Sequence, residues 1–407
     1  MLIKKLQHKM TDLAQANLLR EKWIAQSETG TNQLISSIDD ATSNNHTLFC
    51  SNDYLGFANH PEILDALRKG VDLWGGGSGA SHLISGHMAP HEQLEKMLGQ
   101  LFSQLIPDNR CLTFSTGYMA NLAVMTVLGD SDCEIFSDEL NHASLIDGIR
   151  LSKAQVSIYK HRDYEDLEKL LKKNKSDMRL IVSDGVFSMD GDQADLSSLC
   201  DLAAKYDAWI VVDDAHGYGV LGEEGLGSLE TTSRLCDQII LIGTLGKAAG
   251  LSGAFVIAHK AIVDFIFQTA RSYIYTTAAL PAISFALLTS LNLMHGAEGK
   301  HRRAQLRLLE EYLRRSLSTL AVEQQSQFDV RLTKSSSPIQ GVIVGDTQRA
   351  IDLSSGLHTL GFRVPGIRPP TVPVGTSRIR LTLSADHTTE DIDRLMEGLQ
   401  MLFKKMS

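Results

Sequence analysis

An α/β protein with a large, mainly parallel sheet and a small C-terminal α+β domain is what this sequence of 407 residues predicts. Three observations carry that expectation. Short apolar runs alternate with helical stretches at Glu134–Ser137, Leu180–Ser183, Trp209–Asp213 and Ile239–Ile242, and such runs suit strands covered on both faces. Polar residues gather just after these runs, where open sheets bind ligands. Beyond a long leucine-striped stretch, the pattern changes to strand, helix, strand and helix. The expected division is a helical arm and link over 1–50, a large domain over 51–295 and a small domain over 296–407.

In chain order, Leu6, Leu13, Leu18 and Leu19 predict an amphipathic helical arm ending near Trp23, with Arg20 projecting from its end. Polar residues from Gln26 to Thr47 form a link or a short sheet, and the turn-rich Cys50–Ile63 leads into a helix. Trp74–Glu95 is rich in glycine and serine and runs into a helix near Pro90. It lacks the glycine spacing of a dinucleotide fingerprint. Cys111–Gly129 reads as strand, Ser-Thr-Gly turn and helix, with Leu122, Met125 and Leu128 on one side. Ser252–Ala258 supplies another strand. From Pro281 onward come long helices, in which Leu306, Leu309, Leu313 and Leu317 form a stripe. The C-terminal part holds strands at Ile339–Gly345 and Ser377–Ser384, a helix around Arg349–Leu360, and a last helix capped by Thr388 or Thr389.

Composition narrows the class of function. The net charge of −9 and the absence of a basic run argue against general nucleic-acid binding. No apolar run suits a bilayer span, and the lysine-bearing N-terminal stretch has no apolar core of a secretory signal, so the cytoplasm is expected. Five scattered cysteines show no zinc spacing and read as buried thiols, and no metal site is expected.

Chemistry concentrates at the strand ends. Lys247 follows Ile239–Ile242 within the small-residue run Gly246, Ala248, Ala249 and Gly250, which is expected to leave room for a cofactor and a moving side chain. The strand through Trp209 ends in Asp213, Asp214 and His216, and a carboxylate at a buried strand end needs a cation or several hydrogen bonds. His142 and Ser188 follow two further strands. Backbone N–H groups at Thr116, Gly117 and Tyr118 open a helix and suit a phosphate. An anion site, a ring-stacking histidine, a buried acid, a polar donor and a lysine together describe a site for pyridoxal 5'-phosphate. Asp213 holds the pyridine nitrogen protonated, His216 and Ser188 bond the phenolic oxygen, and Lys247 forms the Schiff base. Ala248 stands where a nucleotide P-loop needs Ser or Thr, and Ser252 lacks a nucleophile elbow's second glycine.

Read together, SNDYLG, GGGSGAS, DELNHASLIDG, DGVFSMDGD, VVDDAHGYG, TLGK and PPTVPVGTSRIRLTLS occur in the order seen in α-oxoamine synthases, and the chain resembles that family over nearly its whole length. The resemblance implies a fold-type I, aspartate aminotransferase-like enzyme that works as a homodimer with shared active sites. Gly366–Ser384 is most similar to members that condense L-alanine with a pimeloyl thioester, carried on coenzyme A or acyl carrier protein, in biotin biosynthesis. By motif position Thr244 joins His142, Ser188, Asp213, His216 and Lys247 as cofactor contacts. Thr276 and Thr277 resemble residues that reach the neighbouring subunit's phosphate. Arg20 and Thr371 match acyl-substrate contacts, Asn52 is a further substrate-binding position, and Arg380 matches the arginine that holds the amino-acid carboxylate. His82 stands where many members carry arginine. The alternatives are a glycine-using member of the 2-amino-3-ketobutyrate or 5-aminolevulinate type and, more remotely, a non-catalytic cofactor-binding regulator.

Overall fold

The computed structural model describes residues 1–37 and 42–406, so the polar link expected between Gln26 and Thr47 lies partly outside the described residues. Helix α1 (Leu2–Gln15) ends earlier than expected. Asn17 takes a φ of 56°, a left-handed conformation that Asn tolerates, and Trp23 opens strand β1 (Trp23–Ala25) instead of closing the helix. Leu2, Leu6, Met10 and Leu13 of α1 remain exposed in the single chain. β1 pairs antiparallel with β2 (Asn32–Ser37), which pairs antiparallel with β3 (Asn44–Leu48).

Helices α2 (Pro61–Trp74) and α3 (Ala89–Leu101) each carry proline in the first turn, where its missing N–H is not needed. Between them the serine-glycine loop contains a π-helical turn, His82–Gly86.

A seven-stranded sheet then forms from β4 (Asn109–Phe114), β5 (Cys133–Asp138), β6 (Gln155–Tyr159), β7 (Met178–Asp184), β8 (Trp209–Asp213), β9 (Ile239–Thr244) and β10 (Ala254–His259), in the order β4-β10-β9-β8-β7-β5-β6. The five strands from β9 to β6 run parallel, and β10 alone runs against both its neighbours. The intervening helices are α4 (Gly117–Leu128), α5 (Ala143–Leu151), α6 (Tyr164–Lys173) and α7 (Leu196–Tyr206). Local chemistry sets their starts: the side chains of Thr116, Asp163 and Asp195 accept N–H groups of Met119, Asp166 and Ser198. Apolar cores fill both sheet faces, one containing Ile210, Val212 and Leu241 and the other Val211, Ile240 and Ile242. This two-sided burial is why the strand sequences read as continuous apolar runs.

After α8 (Lys260–Thr269), the short α9 (Arg271–Ile274) and α10 (Pro281–Met294) comes α11 (Ala297–Phe328), 32 residues long. Its stripe of Leu306, Leu309, Leu313 and Leu317 is buried, as the spacing predicts. The remainder comprises β11 (Arg331–Leu332), β12 (Ile339–Gly345), α12 (Thr347–Thr359), β13 (Phe362–Arg363), β14 (Gly366–Ile367), β15 (Ser377–Thr382) and α13 (Thr389–Met406). Four of these strands make an antiparallel sheet, β11-β12-β15-β14, whereas β13 leaves it to pair in parallel with β3. Thr388 caps α13: its Oγ1 accepts the Asp391 N–H, and Asp391 Oδ2 accepts the Thr388 N–H in return.

The sheet register brings the functional strand ends level. Asp184 on β7 lies beside Asp213 on β8, and Asp213 beside Ile242 on β9. Leu313 has no solvent exposure, so Leu313→Ala is expected to destabilise the fold by about 2–5 kcal/mol through lost contacts and a residual cavity. Denaturant unfolding of wild type and variant measures that loss.

Candidate active site

A cavity of about 200 Å³ opens at the carboxyl edge of the parallel strands. Gly117, Tyr118, His142, Asp213, His216, Thr244 and Lys247 all line it, so predicted residues from four separate stretches converge. Its floor is Asp213. One carboxylate oxygen accepts the Ala215 N–H at 3.0 Å, and the other accepts Nδ2 of Asn121 at 2.7 Å. Asp214 diverges from its neighbour and bonds the N–H and hydroxyl of Ser228, away from the site. Burial raises its pKa to about 7. The two acids thus do not form one metal-binding face.

Asn121 was not identifiable as a site residue from its sequence context, where it is one amide inside an apolar helix. Its Nδ2 also donates to Ser144 Oγ at 2.7 Å, and Ser144 Oγ lies 2.6 Å from Nδ1 of His142. The Ser144 N–H donates to the same Nδ1, which is therefore an acceptor, and the ring's proton belongs on Nε2. His142 is exposed at the cavity mouth, yet the atoms packed around its ring desolvate it enough to lower its pKa. The Asp213 carboxylate opposes that shift.

His216 is a buried part of the cavity lining, its Nδ1 2.5 Å from the Tyr54 hydroxyl. Burial, reinforced by Lys247 and Arg380, keeps the ring neutral by pushing its pKa well down. Burial also raises Tyr54 to about 12, so it stays a phenol. Asp184, likewise on the cavity wall, is raised well above the usual carboxylate range, first by burial and then by Asp213. Lys247 closes the constellation. Desolvation lowers its pKa to about 8, although Asp213 and Asp184 pull the other way.

Other predicted residues stand farther off. Ser188 is not on the wall; its carbonyl accepts Nε of Arg380 at 2.6 Å. Arg380 also donates to Thr382 Oγ1 and bears electrostatically on Lys247, His216 and Tyr54 without lining the cavity. Asn52 accepts the Tyr54 hydroxyl at 3.4 Å. Arg20 and Thr371 are exposed. Thr276 and Thr277 lie outside this chain's cavity, with Thr277 bridged to Ser81.

The expected reason for the small residues near Lys247 needs correction at three positions. Ala248 and Ala249 are buried in the core, while Gly250 has a φ of 71° and approaches the backbone of Phe57 and Ala58, where a Cβ would clash at 2.5 Å. They fit the loop against the protein interior. Of the two glycines, Gly246 alone would admit a Cβ without a clash, at 3.7 Å from Thr244 Oγ1.

A larger hollow of about 920 Å³ lies near α3, lined by His82, His87, Glu92 and Glu95 among others. Its polar groups largely satisfy one another. His82 Nδ1 meets His87 Nδ1, Glu92 pairs with Lys96, and Glu95 accepts both the N–H and hydroxyl of Thr113. Burial drives His82 to about 3, so it carries no positive charge of the kind an arginine would bring.

The smaller cavity fits pyridoxal phosphate on its own chemistry. Space opens at Gly117 beside the N-terminus of α4, as an anion requires, and the carboxylate at the opposite floor suits a ring nitrogen. Oδ1 of Asn121 and Oδ1 of Asp184, both from lining residues, are buried without hydrogen-bond partners among the described residues.

The class I and II aminotransferase family model matches residues 44–399. An 8-amino-7-oxononanoate synthase of Leptothrix cholodnii is 48% identical over 409 residues, covering 100% of both chains. Among solved structures, a serine palmitoyltransferase variant from S. paucimobilis with bound PLP aligns with a TM-score of 0.87 at 25% identity, covering 98% of this chain and 97% of that one. An 8-amino-7-oxononanoate synthase from Francisella tularensis aligns with a TM-score of 0.73 at 30% identity, covering 89% and 98%.

Burying Lys247 carries a pH-dependent cost. Its depression from 10.5 to about 8 corresponds, at ~1.4 kcal/mol per factor of ten, to about 3 kcal/mol. Between those pH values the unfolded chain binds more protons, so the lysine's contribution to stability rises with pH across that window and is lost as pH falls through 8. Cofactor-free Lys247→Met is expected to be more stable than wild type at pH 7, with the difference shrinking toward pH 10.5. Melting temperatures across that range measure it.

Proposed function

The chain belongs to the class I and II aminotransferase family, and on that premise we propose that it condenses L-alanine with a pimeloyl thioester, releasing 8-amino-7-oxononanoate, carbon dioxide and the free thiol, in biotin biosynthesis. The observation that carries this reading is the end-to-end 48% identity to a synthase of that name. The convergence of Lys247, Asp213, His142 and His216 in one cavity supports the chemistry. It is a pyridoxal phosphate-dependent acyltransferase, and its cofactor, when bound, supplies an electron sink for charge developing at the amino acid's α-carbon.

In this reading Gly117 and Tyr118 hold the phosphate at the start of α4, His142 covers the ring, and Asp213 faces the ring nitrogen. His216, Ser188 and Thr244 complete the contacts, while Thr276 and Thr277 serve the partner's site in a homodimer. Lys247 moves the α-proton. With a pKa of about 8, a useful fraction of its amine is neutral near pH 7 and able to accept a proton, whereas an ordinary lysine offers almost none. Asn121 and Ser144 fix His142 and Asp213 relative to each other. Arg380 holds the substrate carboxylate as a charge-assisted pair, orienting the bond to be broken. Arg20, Asn52 and Thr371 face the acyl thioester, whether carried on coenzyme A or acyl carrier protein. The three-part division at residues 50 and 295 belongs to the same proposal. Among the described residues no helix is long and apolar enough to cross a membrane, which accords with the cytoplasm as the proposed location.

The high structural likeness to a serine palmitoyltransferase gives serine with a long acyl thioester a place in the test as the second reading. Alanine, serine and glycine, each supplied with pimeloyl, palmitoyl and acetyl thioesters, should show alanine with pimeloyl fastest. A faster serine–palmitoyl or glycine–acetyl pair overturns the assignment. Borohydride treatment of the yellow holoenzyme should attach the cofactor to Lys247. Arg380→Ala should retain the colour while KM for alanine rises by roughly ten-fold or more, from the loss of a charge-assisted pair. Loss of colour would remove Arg380 from the substrate side.

A further inference from the structure

Remote from the cavity, Cys200 and Cys236 place their sulfurs 3.0 Å apart. The Cys236 N–H also points to the Cys200 sulfur, at 3.3 Å. Cys200 is buried on α7, and Cys236 is half-buried just before β9. The contact is held from both sides: Ser197 Oγ meets Ser233 Oγ at 3.0 Å, and Arg234 pairs with Asp201 at 2.6 Å. Ser197, Cys200 and Asp201 lie on one helical face, three and four residues apart, and meet the consecutive stretch Ser233–Cys236. Thus side-chain contacts on either side of the two thiols join the same two segments that carry them. A disulfide needs its sulfurs about 2 Å apart, leaving roughly 1 Å of travel for side-chain rotation to supply.

We propose that Cys200 and Cys236 form a reversible redox pair, oxidised to a disulfide by a hydroperoxide. Cys236 is the attacking group. It is the more accessible sulfur, and its interaction with Cys200 lowers its pKa while raising that of Cys200. With hydrogen peroxide its thiolate attacks one oxygen, breaking the O–O bond and displacing hydroxide, so that the cysteine becomes a sulfenic acid and the hydroxide takes up a proton to leave as water. The Cys200 sulfur then attacks the sulfenic sulfur, forming the S–S bond and releasing a second water. Two thiols lose two electrons and two protons, and the peroxide O–O bond is reduced. The resulting link fastens α7 to the loop that enters β9.

The test uses purified holoenzyme treated with hydrogen peroxide, followed by thiol alkylation and non-reducing peptide mapping. A Cys200–Cys236 cross-linked peptide lacking two hydrogens, restored to two alkylatable thiols by dithiothreitol, is expected. Oxidation should raise the melting temperature of wild type and leave Cys236→Ser and Cys200→Ser unmoved. Conversion of Cys236 to sulfinic acid with Cys200 still free overturns the proposal, as does a pair that stays reduced while another cysteine reacts. Peptide mapping of wild type decides the matter even if the buried Cys200→Ser variant fails to fold.

Discussion

The site depends on keeping an amine and several acids at the dry edge of a sheet. Lys247 is desolvated enough to lose much of its basicity, and it remains partly protonatable chiefly because the Asp213 carboxylate lies near it. The acids around it differ in their own environments. Asp213 receives an amide and a backbone N–H, whereas Asp184 is driven toward its neutral form by burial beside Asp213. Parallel-strand register makes this possible by ending β7, β8 and β9 at one level. Moving one strand by a residue would turn its terminal side chain to the other face and separate the groups.

The amide of Asn121 joins two parts of this arrangement. Its two N–H bonds, one to Asp213 and one to Ser144, use both donors of a single NH₂ group, and Ser144 carries the link to His142. The Asp213 carboxylate and the His142 imidazole are therefore placed relative to each other by one side chain. Rotating Asn121 by half a turn would direct an oxygen at the Asp213 carboxylate, so the network has one electrostatically acceptable orientation.

Much of this was legible because burial leaves a strong mark on sequence. Strands covered on both faces are apolar throughout, and charged residues following them stand out, as Asp213 and Lys247 do. Exposure leaves less trace: β6, at the sheet edge, is mostly exposed and carries no continuous apolar run, and the reversed direction of β10 is not written in its apolar composition. The helical arm was overextended because leucine spacing continued past the left-handed Asn17. Asn121 and Tyr54 escaped notice for a different reason. Their importance lies in partners that are distant in sequence, Asp213 and His216, and no local spacing reveals such pairs.

Strand β13 adds a constraint in time as well as space. Phe362 and Arg363 pair with Thr47 and Leu48, so the first small sheet acquires its last strand from near the other end of the chain. During synthesis, β1, β2 and β3 emerge early and wait with one edge of β3 unpaired until α12 and β13 leave the ribosome. Closing so long a loop favours a late step in assembly. An interrupted translation product ending before β13 would expose that edge to other chains, making truncation a route to aggregation even when the large sheet has already formed.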